Sequence, residues 1–152
     1  MLLRKCLVLL AVLVSGGNVV HAQDNYPAKW RYNLKRTADK EYQLVFHLEL
    51  SRGWHIRAHN DRGDSLMMLP VFAFTPNTEL QLKGEIKPQG ILENVKVDSL
   101  GMLEVYSYNV LYTQALAAKA GTKISGRYTY QVCDNSHCLP AKTEKFAFIM
   151  KE

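Results

Sequence analysis

Tyr128-Thr129-Tyr130-Gln131-Val132-Cys133-Asp134-Asn135-Ser136-His137-Cys138-Leu139-Pro140 is the stretch on which the reading of the whole chain turns. Tyr128, Tyr130 and Val132 alternate with Arg127, Thr129 and Gln131, the period of a strand with one buried face. Beyond the second cysteine, residues 144–150 alternate again, with Phe146, Phe148 and Met150 on one side. Asp134, Asn135, Ser136 and His137, between the cysteines, are polar or turn-forming. The pattern predicts a β-hairpin whose cysteines face each other across a four-residue loop. Opposed residues of an antiparallel pair have Cα atoms about 4.5–5.5 Å apart. A disulfide spans about 4.4–6.8 Å, so this bridge can open and close with little backbone movement.

Closing so short a loop stabilises by only about 2 kcal/mol through chain entropy. That is small for a domain able to build its own core, and a bridge placed for stability would join distant strands. Three readings stay open: a dithiol that reacts, a bridge that only holds the hairpin, and a metal site. The last is short of ligands. Cys133, His137 and Cys138 crowd one turn, and no second Cys or His pair stands at zinc-like spacing.

The amino terminus reads as a targeting segment. Arg4 and Lys5 make a basic start, residues 6–14 a short apolar core, and Val20-His21-Ala22 ends in a small residue suited to signal peptidase. The expected boundaries are a signal peptide over residues 1–22 and one domain over 23–152, about 130 residues, enough for a substantial core. Cys6 leaves with the signal; its position and the residues before it do not suit lipid attachment. Of three cysteines, two then remain, an even count for an exported chain in an oxidising compartment. No later stretch approaches the roughly 18 consecutive apolar residues of a membrane helix, so no membrane span is expected. The formal charge of +5 falls with Arg4 and Lys5, and the remaining charges are scattered. Neither nucleic acid nor a lipid surface is an expected partner. Paired catalytic carboxylates, a Gly-rich phosphate loop and a Ser-His-Asp pattern are absent, and no cofactor is implied.

Other runs repeat the strand period. Trp30, Tyr32 and Leu34 suggest a first strand and residues 37–40 a turn. Tyr42, Leu44, Phe46, Leu48 and Leu50 make the cleanest alternation, with His47 on the opposite, exposed face. Trp54-His55-Ile56 reads as a short strand or bend, residues 59–66 as a surface loop. Residues 69–75 and 78–86 are strand candidates, 87–90 a turn, 91–97 ambiguous and 98–102 a loop. Residues 104–116 form a long strand, and Lys119 to Thr122 a turn into the final hairpin. The alanine-rich stretch 115–120 is too short for a helix. Eight or nine short strands without a helical pattern predict an all-β fold, an immunoglobulin-like antiparallel β-sandwich.

Gly53-Trp54-His55-Ile56 after a strand, Tyr128-Thr129-Tyr130-Gln131 before the first cysteine, and Cys133 to Pro140 together resemble the amino-terminal periplasmic domain of the thiol:disulfide interchange protein DsbD. The resemblance is weak at the start of the mature chain and strong over residues 126–146. It implies a protein-disulfide reductase component that takes electrons from a thioredoxin-like donor on a separate chain. It would pass them to oxidised periplasmic thiol proteins, including disulfide isomerases and cytochrome c maturation factors. By similarity, Cys138 would attack and carry the mixed disulfide, and Cys133 would resolve it. Two departures stand out. Pro140 is followed by Ala141 instead of a second proline, and the loop that caps the cysteines with an aromatic side chain is here Asp98-Ser99-Leu100-Gly101, which assigns the shielding to Leu100.

Trp54 and Tyr106 are further candidates for the apolar surround, and each is equally an ordinary strand or core residue. His137 adjoins Cys138, but neighbouring strand residues point to opposite faces, so it helps the thiol only if the turn bends it back. Pro140 has no amide hydrogen and interrupts the ladder beside the sulfur. The rival readings are an exported binding module with a purely structural hairpin disulfide, and a structural subunit of a larger assembly.

Overall fold

Alternation in the sequence becomes alternation of burial over residues 42–50 and 110–118. The computed structural model describes residues 25–58, 67–98 and 100–150. The expected signal peptide, the surface loop at 59–66 and Ser99 lie outside the described residues. The strands are β1 (Ala28–Ala38), β2 (Glu41–Leu50), β3 (His55–Arg57), β4 (Val71–Phe74), β5 (Leu80–Val97), β6 (Gly101–Ala118), β7 (Lys123–Tyr130), β8 (Val132–Cys133) and β9 (Lys142–Ile149). The described residues contain no helix.

Two antiparallel sheets make an immunoglobulin-like sandwich. The larger runs β1-β2-β6-β3-β8 with β5 also on β6, and the smaller runs β4-β7-β9. Leu44, Phe46 and Leu48 of β2 and Val110, Tyr112 and Leu116 of β6 face Ile124, Tyr128 and Tyr130 of β7 and Phe146 of β9 across the core. Aromatic rings fill its centre. Trp30 lies 4.8 Å from Tyr128 and 5.0 Å from Tyr130 between ring centroids. The Tyr128 and Tyr130 hydroxyls donate to the two carboxylate oxygens of Glu144, each at 2.8 Å. Burial first, and then these bonds to the carboxylate, push both tyrosine hydroxyls well above the usual phenol range.

Three expectations need correction. Residues 87–90 are not a turn: they lie inside β5, which pairs with β6 from Leu80↔Ala118 to Val97↔Gly101 and shifts register between Lys83 and Lys87 and again after Gly90. Pro88 is tolerated because β5 is an edge strand, where a missing N–H leaves no ladder bond unmade. Gly90 is needed for close approach, since a Cβ there would sit 3.0 Å from the Tyr106 ring and 3.2 Å from the Asn109 carbonyl. Residues 98–102 are likewise not all loop, because Gly101 and Met102 already belong to β6. Lastly, the cysteine hairpin does not continue the β7–β9 ladder. That ladder ends at Tyr130↔Lys142, after which the chain crosses at Gln131 to the larger sheet and pairs with β3.

Candidate functional site

The crossover puts the cysteines at the rim of the larger sheet. β8 is the edge strand, bound to β3 through Cys133↔His55 and Val132↔Ile56. Cys133 and Cys138 form an antiparallel bridge and a disulfide, with Cα atoms 4.0 Å apart. One further ladder bond, from Leu139 N–H to the Val132 carbonyl at 3.0 Å, precedes Pro140. Pro140 is exposed, and its carbonyl accepts from the Tyr26 hydroxyl at 3.5 Å.

The loop between the cysteines is held by its own groups. Asp134 N–H donates to the His137 carbonyl at 3.0 Å. One Asp134 carboxylate oxygen accepts the Ser136 and His137 amides at 2.8 Å each and lies 3.1 Å from His137 Nδ1. The His137 amide, ahead of the other contacts, holds the Asp134 carboxyl below the usual carboxylate range. This side chain is why a sequence of turn formers closes as a defined turn.

The two sulfurs have different surroundings. Cys133 is fully buried among Met67, Val97, Leu103 and Val105, while Cys138 is partly buried and packs on that cluster with Val95 and Leu100. Cys138 also lines a cavity of about 300 Å³ with Val97, Asp98, Leu100, Gln131 and His137. The β5–β6 tip that supplies Leu100 is tied to the cysteine loop by the Asp98 amide, which donates to the Asn135 carbonyl at 2.9 Å.

The structure thus brings Leu100, His137 and Cys138 to one cavity. Trp54 stands beside them, its ring edge-on to His137 with centroids 5.6 Å apart. Tyr106 is elsewhere: it pairs with Ile56, packs in the main core and does not line this cavity. Gln131 was visible only as part of the motif, yet it joins three segments. Its side chain donates to the Leu139 carbonyl at 3.1 Å and accepts the Met68 amide at 2.9 Å. His55, in a row with Ser107 and Glu93 that begins opposite Cys133, was visible only within the Gly53-Trp54-His55-Ile56 stretch, and Ser107 and Glu93 carried no signal in the sequence. Among the described residues, no group of three His, Cys, Asp or Glu side chains could hold a metal.

A two-electron dithiol–disulfide couple is the chemistry this arrangement can support, with one sulfur accessible from a cavity and the other enclosed. The family model of the thiol:disulfide interchange protein DsbD, amino-terminal, matches residues 22–149. The fold is similar to the amino-terminal periplasmic domain of ScsB from Proteus mirabilis, with TM-score 0.61 and 15% identity over 84% of this chain and 48% of that one. The chain therefore spans about half the length of that relative. It is also similar to the reduced amino-terminal domain of Neisseria meningitidis DsbD, with TM-score 0.53 and 18% identity over 81% and 86% of the two chains. No curated protein matches at the level of sequence.

Proposed function

Because the chain belongs to the family of the amino-terminal domain of the thiol:disulfide interchange protein DsbD, we propose that Cys133 and Cys138 are its redox pair. The domain takes reducing equivalents from a thioredoxin-like protein and passes them to oxidised thiol proteins of the periplasm, thioredoxin-fold or cytochrome c maturation factors among them. Export removes residues 1–22 as a signal peptide, and the domain proper is 23–152. A mature mass that retained Met1 would refute this processing.

The unequal burial of the two sulfurs carries the assignment of roles. Cys138, open to the cavity, attacks the partner disulfide and holds the mixed disulfide. Cys133, enclosed behind it, attacks Cys138 and releases the reduced partner. Atoms and electrons balance: the dithiol loses two electrons and two protons, and the partner disulfide gains them. Leu100, Trp54 and His137 shield or border the accessible sulfur, and the ladder's end at Pro140 leaves the strand edge open for docking.

The test is covalent trapping. A Cys133→Ala variant should accumulate a mixed disulfide with a thioredoxin-fold partner, because its attacking thiolate has no resolving neighbour. Cys138→Ala should trap little. Equal trapping by both variants would show the assignment of roles to be wrong. Failure of both, together with no exchange by the wild type, would return the disulfide to a purely structural role in a binding module.

A further inference from the structure

We propose, resting on the functional reading above, that His55 is the proton acceptor for Cys133 in the resolving step, with Ser107 and Glu93 as its positioning residues. The difficulty it addresses is plain. Cys133 has no solvent exposure and sits among apolar side chains, surroundings that disfavour a thiolate, yet it must give up a proton to attack Cys138.

His55 pairs with Cys133 on one side and with Ser107 on the other. Directly opposed residues of antiparallel strands project from the same face with Cβ atoms about 4.5–5.5 Å apart. Thiol, imidazole and hydroxyl therefore form one row across β8, β3 and β6. His55 is buried to 8% exposure, with Nδ1 2.8 Å from Ser107 Oγ, and Ser107 Oγ bonds in turn to a carboxylate oxygen of Glu93. A hydroxyl has one proton and a carboxylate only accepts. Ser107 therefore donates to Glu93 and accepts from His55 Nδ1–H, which leaves Nε2 of the neutral ring as a base. Nδ1 is engaged toward β6, so the nitrogen left for Cys133, whose strand lies on the other side of β3, is Nε2. No described residue bonds it, and His55 borders a cavity of about 180 Å³ with Glu93 and Ser107, from which water can reach the ring.

In the resolving step Cys133 S–H passes its proton to Nε2. The resulting thiolate attacks Cys138 Sγ, the Cys133–Cys138 bond forms, and the bond from Cys138 to the partner breaks with the electron pair leaving on the partner's sulfur. Glu93 balances the imidazolium through Ser107, and the proton then leaves to water in the cavity. Arg52 and Tyr108 line the same cavity, Arg57 lies on the same face of β3, and Asp134 and His137 follow Cys133. All are common to wild type and variant, so the ratio of their rates reports His55.

The experiment mixes reduced protein with one equivalent of 5,5′-dithiobis(2-nitrobenzoate) in stopped flow. Attack by Cys138 releases the first coloured thiolate and resolution by Cys133 the second. His55→Asn should leave the first phase unchanged and slow the second by about 10²-fold near neutrality. That gap should narrow only as pH rises beyond the ordinary thiol value of about 8.5, because a thiol in apolar surroundings ionises without a base only above it. Glu93→Gln should slow the second phase in the same direction by about tenfold, and it carries the test if His55→Asn does not fold. An unchanged second phase, or equal slowing of both phases at every pH, as a packing defect gives, would overturn the proposal. A wild type with no second phase would instead remove the exchange reading, and this inference with it.

Discussion

Reducing the Cys133–Cys138 bridge should weaken the domain measurably without unfolding it. The cysteines are separated by 5 positions, and the loop-closure relation then gives about 7 cal/mol/K, or about 2 kcal/mol at 25 °C. What remains after reduction is substantial. The loop keeps the Asp134–His137 backbone bond, the ladder bond from Leu139 to Val132, the two amides on the Asp134 carboxylate and the Asp98–Asn135 tie. The main core, with Phe46, Tyr128 and Phe146 at its centre, is a separate cluster from the one that holds Cys133. Urea titrations with and without reductant measure the difference. With a slope of about 1–3 kcal/mol/M, the midpoint should fall by about 1 M, with the slope unchanged and the transition still cooperative. A reduced state that is unfolded, or that loses more than about 4 kcal/mol, would refute the reasoning and make the bridge the main staple of the fold. An unmoved midpoint would show that loop closure contributes nothing here.

Gly126→Ala should destabilise by about 3 kcal/mol, the upper end for an overpacked core. Its new Cβ would stand 2.4 Å from the Ala73 carbonyl and 2.5 Å from the Phe146 ring; thermal unfolding checks this, and a wild-type midpoint would refute it. Gln131→Ala removes the partners of the Leu139 carbonyl and the Met68 amide. It should cost about 2 kcal/mol and make the disulfide faster to reduce by dithiothreitol, which a thiol-release assay follows. Asp134 has a folded pKa below its unfolded value, so its contribution is complete above the unfolded carboxylate range of about 3.9 and is lost as pH falls through the lower folded value. The stability difference between wild type and Asp134→Ala should shrink over that acid window, and a constant difference would contradict the assignment.

Much of the architecture could be read from alternation alone. Tyr42 to Leu50, Tyr128 to Val132 and Phe146 to Met150 repeat every second residue, and the same side chains are buried or partly buried. Period 2 is a local property of the chain, which any strand with one buried face must show. The cysteine pair was legible for the same reason: its geometry closes within one turn. Residues 87–90 misled because proline and glycine mark turns only when the strand has neighbours on both sides. An edge tolerates them, and which strand is an edge depends on the whole sheet.

What the sequence by itself determined was therefore the strand periodicity, the all-β class and the cysteine pair within its hairpin. Tertiary structure alone decided the company that pair keeps. Leu100 reaches Cys138 because the β5–β6 hairpin folds its tip against the cysteine loop, whereas Tyr106, equally aromatic-rich in its local context, turns into the main core. His55 finds Ser107 52 positions away, and Ser107 finds Glu93 14 positions back, through the register of three strands. Register is set by the summed burial of whole strands, since a slip of one residue would turn every side chain to the other face. No local stretch of sequence contains that sum.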